Sequence, residues 1–446
     1  MKLSQIAHIL NAKFKGKDGD FESISTDTRT IQPGSLFIAL QGPHFDAHNF
    51  IDTAVERGAM GAIVSRWIAI SLPQIYVNDT HAALIQLGSH QRDQMREVIV
   101  IAVTGSCGKT TTRALLASVF RQQGNVLASE RSFNNNIGLP LTLMRLRAEH
   151  DYAVVELGAN HLAEIAQLAQ IAKSNIAIIT NAGPAHLEGF GSIEGVAKAK
   201  SEIYQRLSPN GIAIVNNDDP FRDFWREIIG VRRTITFACN NRADVAAKNI
   251  SVNPKGQSRF RLILPNGEVD VQLSLLGKHN VMNALAAAAA AYAEQLPIMT
   301  IKAGLEAASA VSGRLASLKG YRGATIIDDS YNANPLSVSA AIDVLATCGS
   351  RSILVLGDMR ELGEGGDQLH RKMGEQALQS GIHELFCYGS LTRHTVEAFG
   401  KNAYHFDDQE KLLRALKNNL DENTVVLLKG SLYMNMGKIV KGLIEE

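Results

Sequence analysis

Uninterrupted apolar runs, each closed by glycine and polar residues, recur along the chain and set its architecture. Ile99-Val100-Ile101-Ala102-Val103 is rich in β-branched residues and lacks alternation, the pattern of a strand buried on both faces of a parallel sheet. Residues 152–158, 175–180 and 211–215 repeat that pattern, and helical spacing follows the first run over 113–120 and the third over 193–207. Ahead of them, short strands are expected at 35–40, 62–64 and 74–77 around a helix near 50–57, before a polar break at Asn78-Asp79-Thr80. After residue 216 the chain changes character: 260–264 and 269–273 flank Pro265-Asn266-Gly267 and read as an antiparallel hairpin. An alanine-rich helix follows at 284–293. From 312 onward, strands at 324–328, 352–356, 384–387 and 425–428 alternate with helical stretches, a doubly wound arrangement. The pattern predicts an α/β chain of three domains: a small mixed α/β domain over 1–80, a central parallel-sheet domain of phosphate-loop type over 81–311, and a doubly wound Rossmann-like domain over 312–446.

The first buried run ends in Thr104-Gly105-Ser106-Cys107-Gly108-Lys109-Thr110-Thr111-Thr112 and passes into a helix. Strand, glycine turn, Lys-Thr and helix together make a phosphate loop. Its glycines let the backbone curl so that N–H groups and the positive helix end face an anion, Lys109 reaches the β/γ-phosphates, and the Thr110 hydroxyl is placed to touch Mg²⁺. The general pattern has four residues between its glycines; here there are two, which marks a narrower class. Glu156 closes the next strand at the edge where ligands gather, and is a candidate Mg²⁺ ligand beside Thr110. His186, in the loop 181–191, is a candidate metal ligand or acid/base, with a plain surface histidine as the alternative. Lys198 and Lys200 lie on the helix after it, where solvated lysines are the default. Asn280 and Asn283, with His279, stand at the expected start of the alanine-rich helix, where amides can cap it or bond an adenine edge. Thr26-Asp27-Thr28-Arg29 bunches short donors at a strand end, suited to a phosphate or sugar, or simply to a surface turn.

Composition excludes several classes. With 45 basic and 44 acidic side chains the chain is close to neutral, so nucleic acid is not expected as a partner. Four scattered cysteines without C-x-x-C spacing argue for a reducing compartment and against a disulfide scaffold or structural zinc. The first residues are too polar for a signal peptide and no long apolar run occurs, so a cytoplasmic protein without membrane insertion is expected.

Taken together, the phosphate loop, Glu156, the Asn-Ala-Gly-x-Ala-His-Leu-Glu-x-Phe-Gly loop, Gly277-Lys278-His279-Asn280 and the Gly313-Arg314 junction resemble the Mur ligases of peptidoglycan synthesis, across essentially the whole chain. The stretches 328–335 and 356–363 resemble most the member that adds a D-alanyl-D-alanine dipeptide. The resemblance implies ATP-dependent amide formation through an acyl phosphate, with a UDP-N-acetylmuramoyl-tripeptide and D-Ala-D-Ala as substrates, and a monomer. It places Gly105, Ser106, Cys107, Gly108, Lys109, Thr110 and Thr111 on the ATP phosphates. Asn280 and Asn283 fall on the adenine side, and Arg314 and Asp329 face the nucleotide from the third domain. Thr110 and Glu156 would hold a first Mg²⁺; His186 would hold a second with Lys200, which aligns with a lysine that the family carbamylates. Thr26, Asp27, Thr28 and Arg29 resemble the part that holds the UDP end, while Asn135, Asn136, Asn332 and Asn334 fall at other substrate positions. Cys107 stands where the family often has Asn, and Leu432 where it often has Arg. A folylpolyglutamate-type ligase shares the phosphate loop, but 328–335 and the small first domain disfavour it; a non-catalytic nucleotide-binding regulator would not need Glu156, His186 and Lys200 together.

Overall fold

The computed structural model describes residues 1–130, 133–348 and 351–444. Its main strands form three sheets. In the first, Lys13–Lys15, Gln74–Tyr76, Gly61–Val64, Ser35–Ile38 and Ser23–Ser25 lie side by side, parallel except for the edge strand Lys13–Lys15. Alternate residues of a strand face opposite ways. Leu36, Ile38 and Ile63 therefore pack on Leu3, Ile6 and the helix Thr80–Gln94, while Phe37, Ala62 and Val64 pack on Ile51 and Ala54. Asp79 starts the long helix by accepting from the N–H groups of His81 and Ala82.

The second sheet has nine strands, in the order Gly267–Leu276, Gln257–Leu264, Val245–Val252, Thr234–Ala238, Ile212–Asn216, Ile176–Ile179, Ile99–Thr104, Tyr152–Glu156 and Val126–Ala128. Neighbours are parallel from Val126–Ala128 as far as Val245–Val252 and antiparallel beyond it. The hairpin read from the sequence is thus the antiparallel extension of this sheet. Three of its strands escape the sequence pattern. Val126–Ala128 is only three residues long, Thr234–Ala238 is half polar, and Val245–Val252 carries a register shift between Lys248 and Ser251 that breaks its alternation. Val100 and Ala102 face one core and Ile101 and Val103 the other, so the strand is buried on both sides, as its uniform hydrophobicity requires.

The alanine-rich helix runs from His279 to Ala293, five residues earlier than expected. Asn280 and Asn283 are therefore inside its first turns and neither caps it. Its alanines, from Ala284 to Ala291 around Leu285, are buried against Leu115, Leu116 and Val119, small side chains that let two helices and a sheet approach closely.

The third sheet runs Ala316–Lys319, Thr325–Asp329, Thr424–Lys429, Arg351–Gly357, Glu384–Tyr388, Ala403–Phe406, parallel apart from the first. Both edge strands, missed in the sequence, are short and half exposed, so little hydrophobic pattern marks them. The last strand of the chain, Thr424–Lys429, inserts between Thr325–Asp329 and Arg351–Gly357, and the loops at the carboxyl ends of these strands are where ligands of open α/β sheets bind. No described helix is long and apolar enough to cross a membrane.

Candidate active site

The strand Ile99–Thr104 ends in the loop that feeds the helix Lys109–Phe120. Gly105 and Gly108 take φ of 153° and 82°. A Cβ would come within 1.8 Å of the Thr180 hydroxyl at the first and 2.3 Å of the Asn283 side-chain oxygen at the second, so both positions exclude any side chain. The N–H of Ser106 donates to the Asn181 carbonyl at 3.0 Å, and that of Cys107 to the Asn181 side-chain oxygen at 2.9 Å. Those two donors face Asn181, so the ring of inward N–H groups expected from the sequence is partial. The N–H groups of Gly108, Lys109, Thr110 and Thr111 have no acceptor among the described residues and remain for an anion at the helix start. Lys109 Nζ donates to the Gly105 carbonyl at 2.6 Å, and burial lowers its pKa against the opposing charge of Glu156.

Thr110 and Glu156 meet as the sequence suggests. The Thr110 hydroxyl donates to Glu156 Oε2 at 2.9 Å, and the Asn134 amide donates to Glu156 Oε1 at 2.9 Å. Ligands in adjacent corners of a Mg²⁺ octahedron with bonds of about 2.1 Å lie about 3.0 Å apart, so the two oxygens already stand as a cis pair would. Hydroxyl and carboxylate oxygens also suit this hard cation. Among the described residues no group of three or more His, Cys, Asp or Glu gathers. Asn134 is a site residue that sequence reasoning missed. The cue was the asparagine run itself, in which the resemblance marks Asn135 and Asn136. Both line the cleft, and the Asn135 side-chain oxygen also accepts from the N–H groups of Ile137 and Gly138.

His186 holds a left-handed backbone, φ 52°, and its Nδ1 makes a very short hydrogen bond to Glu361 Oε2. Glu361, also left-handed at φ 63°, comes from the loop after the third-sheet strand Arg351–Gly357 and was not foreseen as a partner. Burial and Lys109 lower the His186 pKa, while Glu361 opposes them. Lys200 is buried and Lys198, two positions before it, is exposed. The Lys200 ammonium lies 5.9 Å from the Phe190 ring centre and has no hydrogen-bond acceptor among the described residues. Burial first, and then the Lys109 charge, brings its pKa down to about 7.

A cavity of about 330 Å³ lies between the phosphate loop, the helix His279–Ala293 and the third sheet, lined by Gly108, Asn280, Asn283, Arg314, Asp329 and Lys429 among others. Asn280 donates to the Leu276 carbonyl at 2.7 Å, and Asn283 donates to Asn280 and accepts from Thr112. Arg314 stacks 4.3 Å from the Tyr331 ring centre. A neighbouring cavity of about 360 Å³ joins Lys109, the three asparagines, Glu156, His186, Arg314 and Asn332. Asn334 lies over the phosphate loop, but its side-chain oxygen caps the helix Pro335–Ala346 by accepting from Ser337 N–H at 2.9 Å and also accepts from the Cys107 thiol at 3.2 Å. Beside that cap, Asn334 lines a small cavity together with the phosphate loop, His186 and Asn332. Thr26, Asp27, Thr28 and Arg29 line neither cavity; there Arg29 doubles onto Asp27 in an exposed turn, at 2.7–3.1 Å.

Two family models match the parts that build this cleft: the Mur ligase middle domain over residues 103–291 and the Mur ligase glutamate ligase domain over 313–432. The chain is also 43% identical over 446 residues to the UDP-N-acetylmuramoyl-tripeptide--D-alanyl-D-alanine ligase of Escherichia coli, an alignment covering 99% of this chain and 98% of that one. The chain belongs to the Mur ligase family. Among solved Mur ligases, the UDP-N-acetylmuramoylalanyl-D-glutamyl-2,6-diaminopimelate--D-alanyl-D-alanyl ligase of Acinetobacter baumannii superposes with a TM-score of 0.87 at 35% identity, covering 98% of this chain and 97% of that one. MurF ligase of Thermotoga maritima, solved in complex with ADP, superposes at 0.82 and 26% identity, covering 94% and 96%.

Proposed function

We propose that the cleft between the phosphate loop and the third sheet is where this chain joins D-alanyl-D-alanine to a UDP-N-acetylmuramoyl-tripeptide in peptidoglycan precursor synthesis, using ATP. The observation that carries the reading is the bonded Thr110–Glu156 pair at a phosphate loop, with Lys109, His186 and buried Lys200 beside it. The unit over 1–80 takes the UDP end of the substrate through Thr26, Asp27, Thr28 and Arg29. The unit over 81–311 takes ATP, and the unit over 312–446 closes on both. The N–H groups from Gly108 to Thr111 hold the ATP phosphates. Asn280, Asn283, Arg314 and Asp329 border the nucleoside.

A carboxylate is a poor electrophile at neutral pH. In the first step an oxygen of the tripeptide's terminal carboxylate forms a bond to the γ-phosphorus as the bond to the ADP oxygen breaks. The amine of D-Ala-D-Ala then attacks the resulting acyl phosphate, loses its proton, and phosphate leaves from the tetrahedral intermediate. Phosphoryl transfer is mostly positioning and electrostatics. Lys109 supplies a fixed cation at the transferring group, and Thr110 and Glu156 would hold a Mg²⁺ ion, which neutralises charge on the phosphoryl oxygens when bound. Lys200, as a carbamate, and His186 would hold a second ion. Lys200 is poised for that modification: a buried ammonium beside Lys109 yields the neutral amine that reacts with CO₂. Asn136 and Asn332 border the reacting carboxylate, and contacts from the third sheet keep water off the acyl phosphate. The protein acts as a monomer in the cytoplasm.

The test is ADP release from the purified chain, with the peptide product read by mass spectrometry. ADP release must need both the UDP-tripeptide and D-Ala-D-Ala, and the product must carry the added dipeptide. ATP turnover indifferent to either substrate would refute the reading.

A further inference from the structure

A cavity of about 520 Å³ runs along the helix Lys109–Phe120, the strand Val126–Ala128 and the segment 307–311, and shares no lining residue with the two cavities of the cleft. Arg113, Arg121, Arg145 and His150 line it. Arg145 pairs with Glu130 at 2.7 Å. Arg113 does not pair. It is only 7% exposed, its Nε is buried without a partner, and no described residue accepts from its guanidinium. A buried Nε–H without an acceptor is unfavourable, and an oxyanion in the cavity relieves it while pairing with the guanidinium in a forked, charge-assisted contact.

The position ties this group to the chemistry. Arg113 follows Thr110 by three residues on one helix, so the two side chains are neighbours on one face. Glu156, which binds Thr110, lies within Coulombic reach of Arg113. Arg113 thus lies about one helical turn along from Thr110, and Arg314 and Tyr331, which line the cleft with Glu156, are also within its Coulombic reach. A side chain that leaves the reacting residue through three methylenes and ends in a second carboxylate can extend from the cleft toward Arg113. A diaminopimelate side chain ends in a carboxylate and an ammonium; a lysine side chain ends in an ammonium alone, which an arginine-lined cavity repels.

We propose that this cavity is a carboxylate subsite, with Arg113 as its ligand, that receives the side-chain carboxylate of the tripeptide's third residue. The inference rests on the ligase reading above. It makes the chain selective for a third residue of the diaminopimelate class over lysine, and it gives Arg113 a role in specificity.

The test compares kcat/KM for the UDP-diaminopimelate-tripeptide and the UDP-lysine-tripeptide at saturating ATP, together with the KM for D-Ala-D-Ala, in the full chain and in Arg113→Met and Arg113→Lys. The wild type should favour the diaminopimelate substrate at least about tenfold, the worth of one hydrogen-bonded charge. Arg113→Met should collapse that ratio toward one through the KM of the diaminopimelate substrate, and Arg113→Lys should restore part of it. Equal wild-type rates on the two tripeptides overturn the proposal, as does an equal loss on both in Arg113→Met. A raised KM for D-Ala-D-Ala with the ratio intact also overturns it, by assigning the cavity to the acceptor's carboxylate. If circular dichroism shows Arg113→Met unfolded, Arg121→Met, at an exposed position on the same wall, decides: a lowered ratio supports the subsite and an unchanged one overturns it. A wild type that releases ADP with neither tripeptide refutes the ligase reading instead.

Discussion

Lys429→Met tests how the third sheet fixes the nucleotide-facing wall. Lys429 and Asp329 are register partners on adjacent parallel strands, and the ammonium donates to Asp329 Oδ2 at 2.5 Å and to the Asn332 carbonyl at 2.8 Å. Their side chains are 1% and 8% exposed, so this pair is shielded from salt and solvent. Methionine matches the aliphatic stem but strands the Asp329 carboxylate. Removing one partner of a buried pair costs about 3–5 kcal/mol, whereas removing both charges is often close to neutral. Arg314 also lies within Coulombic reach of Asp329, which sets the expected loss at the lower end, about 3 kcal/mol. Adding Asp329→Asn should return about 2 kcal/mol, a coupling typical of residues in contact. Hydrogen exchange of peptides covering Thr424–Lys429 reads the local opening free energy directly; a loss of about 3 kcal/mol is roughly a hundredfold faster exchange. Single-variant losses that simply add in the double variant would show that the pair is not coupled, and unchanged exchange in Lys429→Met would show that it holds nothing.

Lys109→Ala should abolish ligation while circular dichroism and the melting curve stay near wild type, since its Nζ bonds only its own loop carbonyl; retained activity contradicts the ATP assignment. Glu156→Ala should keep UDP-tripeptide binding in calorimetry and lose phosphate release; lost binding would contradict the division of labour between domains. Lys200→Ala should be nearly inactive and partly rescued by acetate, whereas exposed Lys198→Ala keeps most activity; two variants that behave alike dispose of the carbamate. For His279, burial and the Lys429 charge, against Asp343, bring the pKa from 6.5 to about 4. The unfolded chain therefore binds the extra proton between these values, so stability falls as pH drops through that window, and His279→Gln should flatten this limb of a urea-midpoint titration.

What could be read from the sequence was what one stretch of chain decides by itself. Gly105 and Gly108 announce their backbone because no side chain fits there, and Ile99–Thr104 announces its burial because both faces are covered. The edge strands Ala316–Lys319 and Ala403–Phe406 were silent because half-exposed strands carry little pattern. On Asn334 two readings overlap. The resemblance makes it a substrate residue, while Asn-Pro with Ser337 three residues on is the grammar of a helix cap; the cap forms, and the same residue lines the cavity over the phosphate loop. The rest of the site lies in contacts between distant segments. Glu361 reaches His186 across 175 residues and Asn334 reaches Cys107 across 227, so neither partner is marked by its own neighbourhood. Arg113 shows the limit most clearly. In the sequence it is one more arginine on an amphipathic helix, for which solvation is the default. Only the folded chain shows it buried with its Nε unbonded, and that missing partner makes it informative.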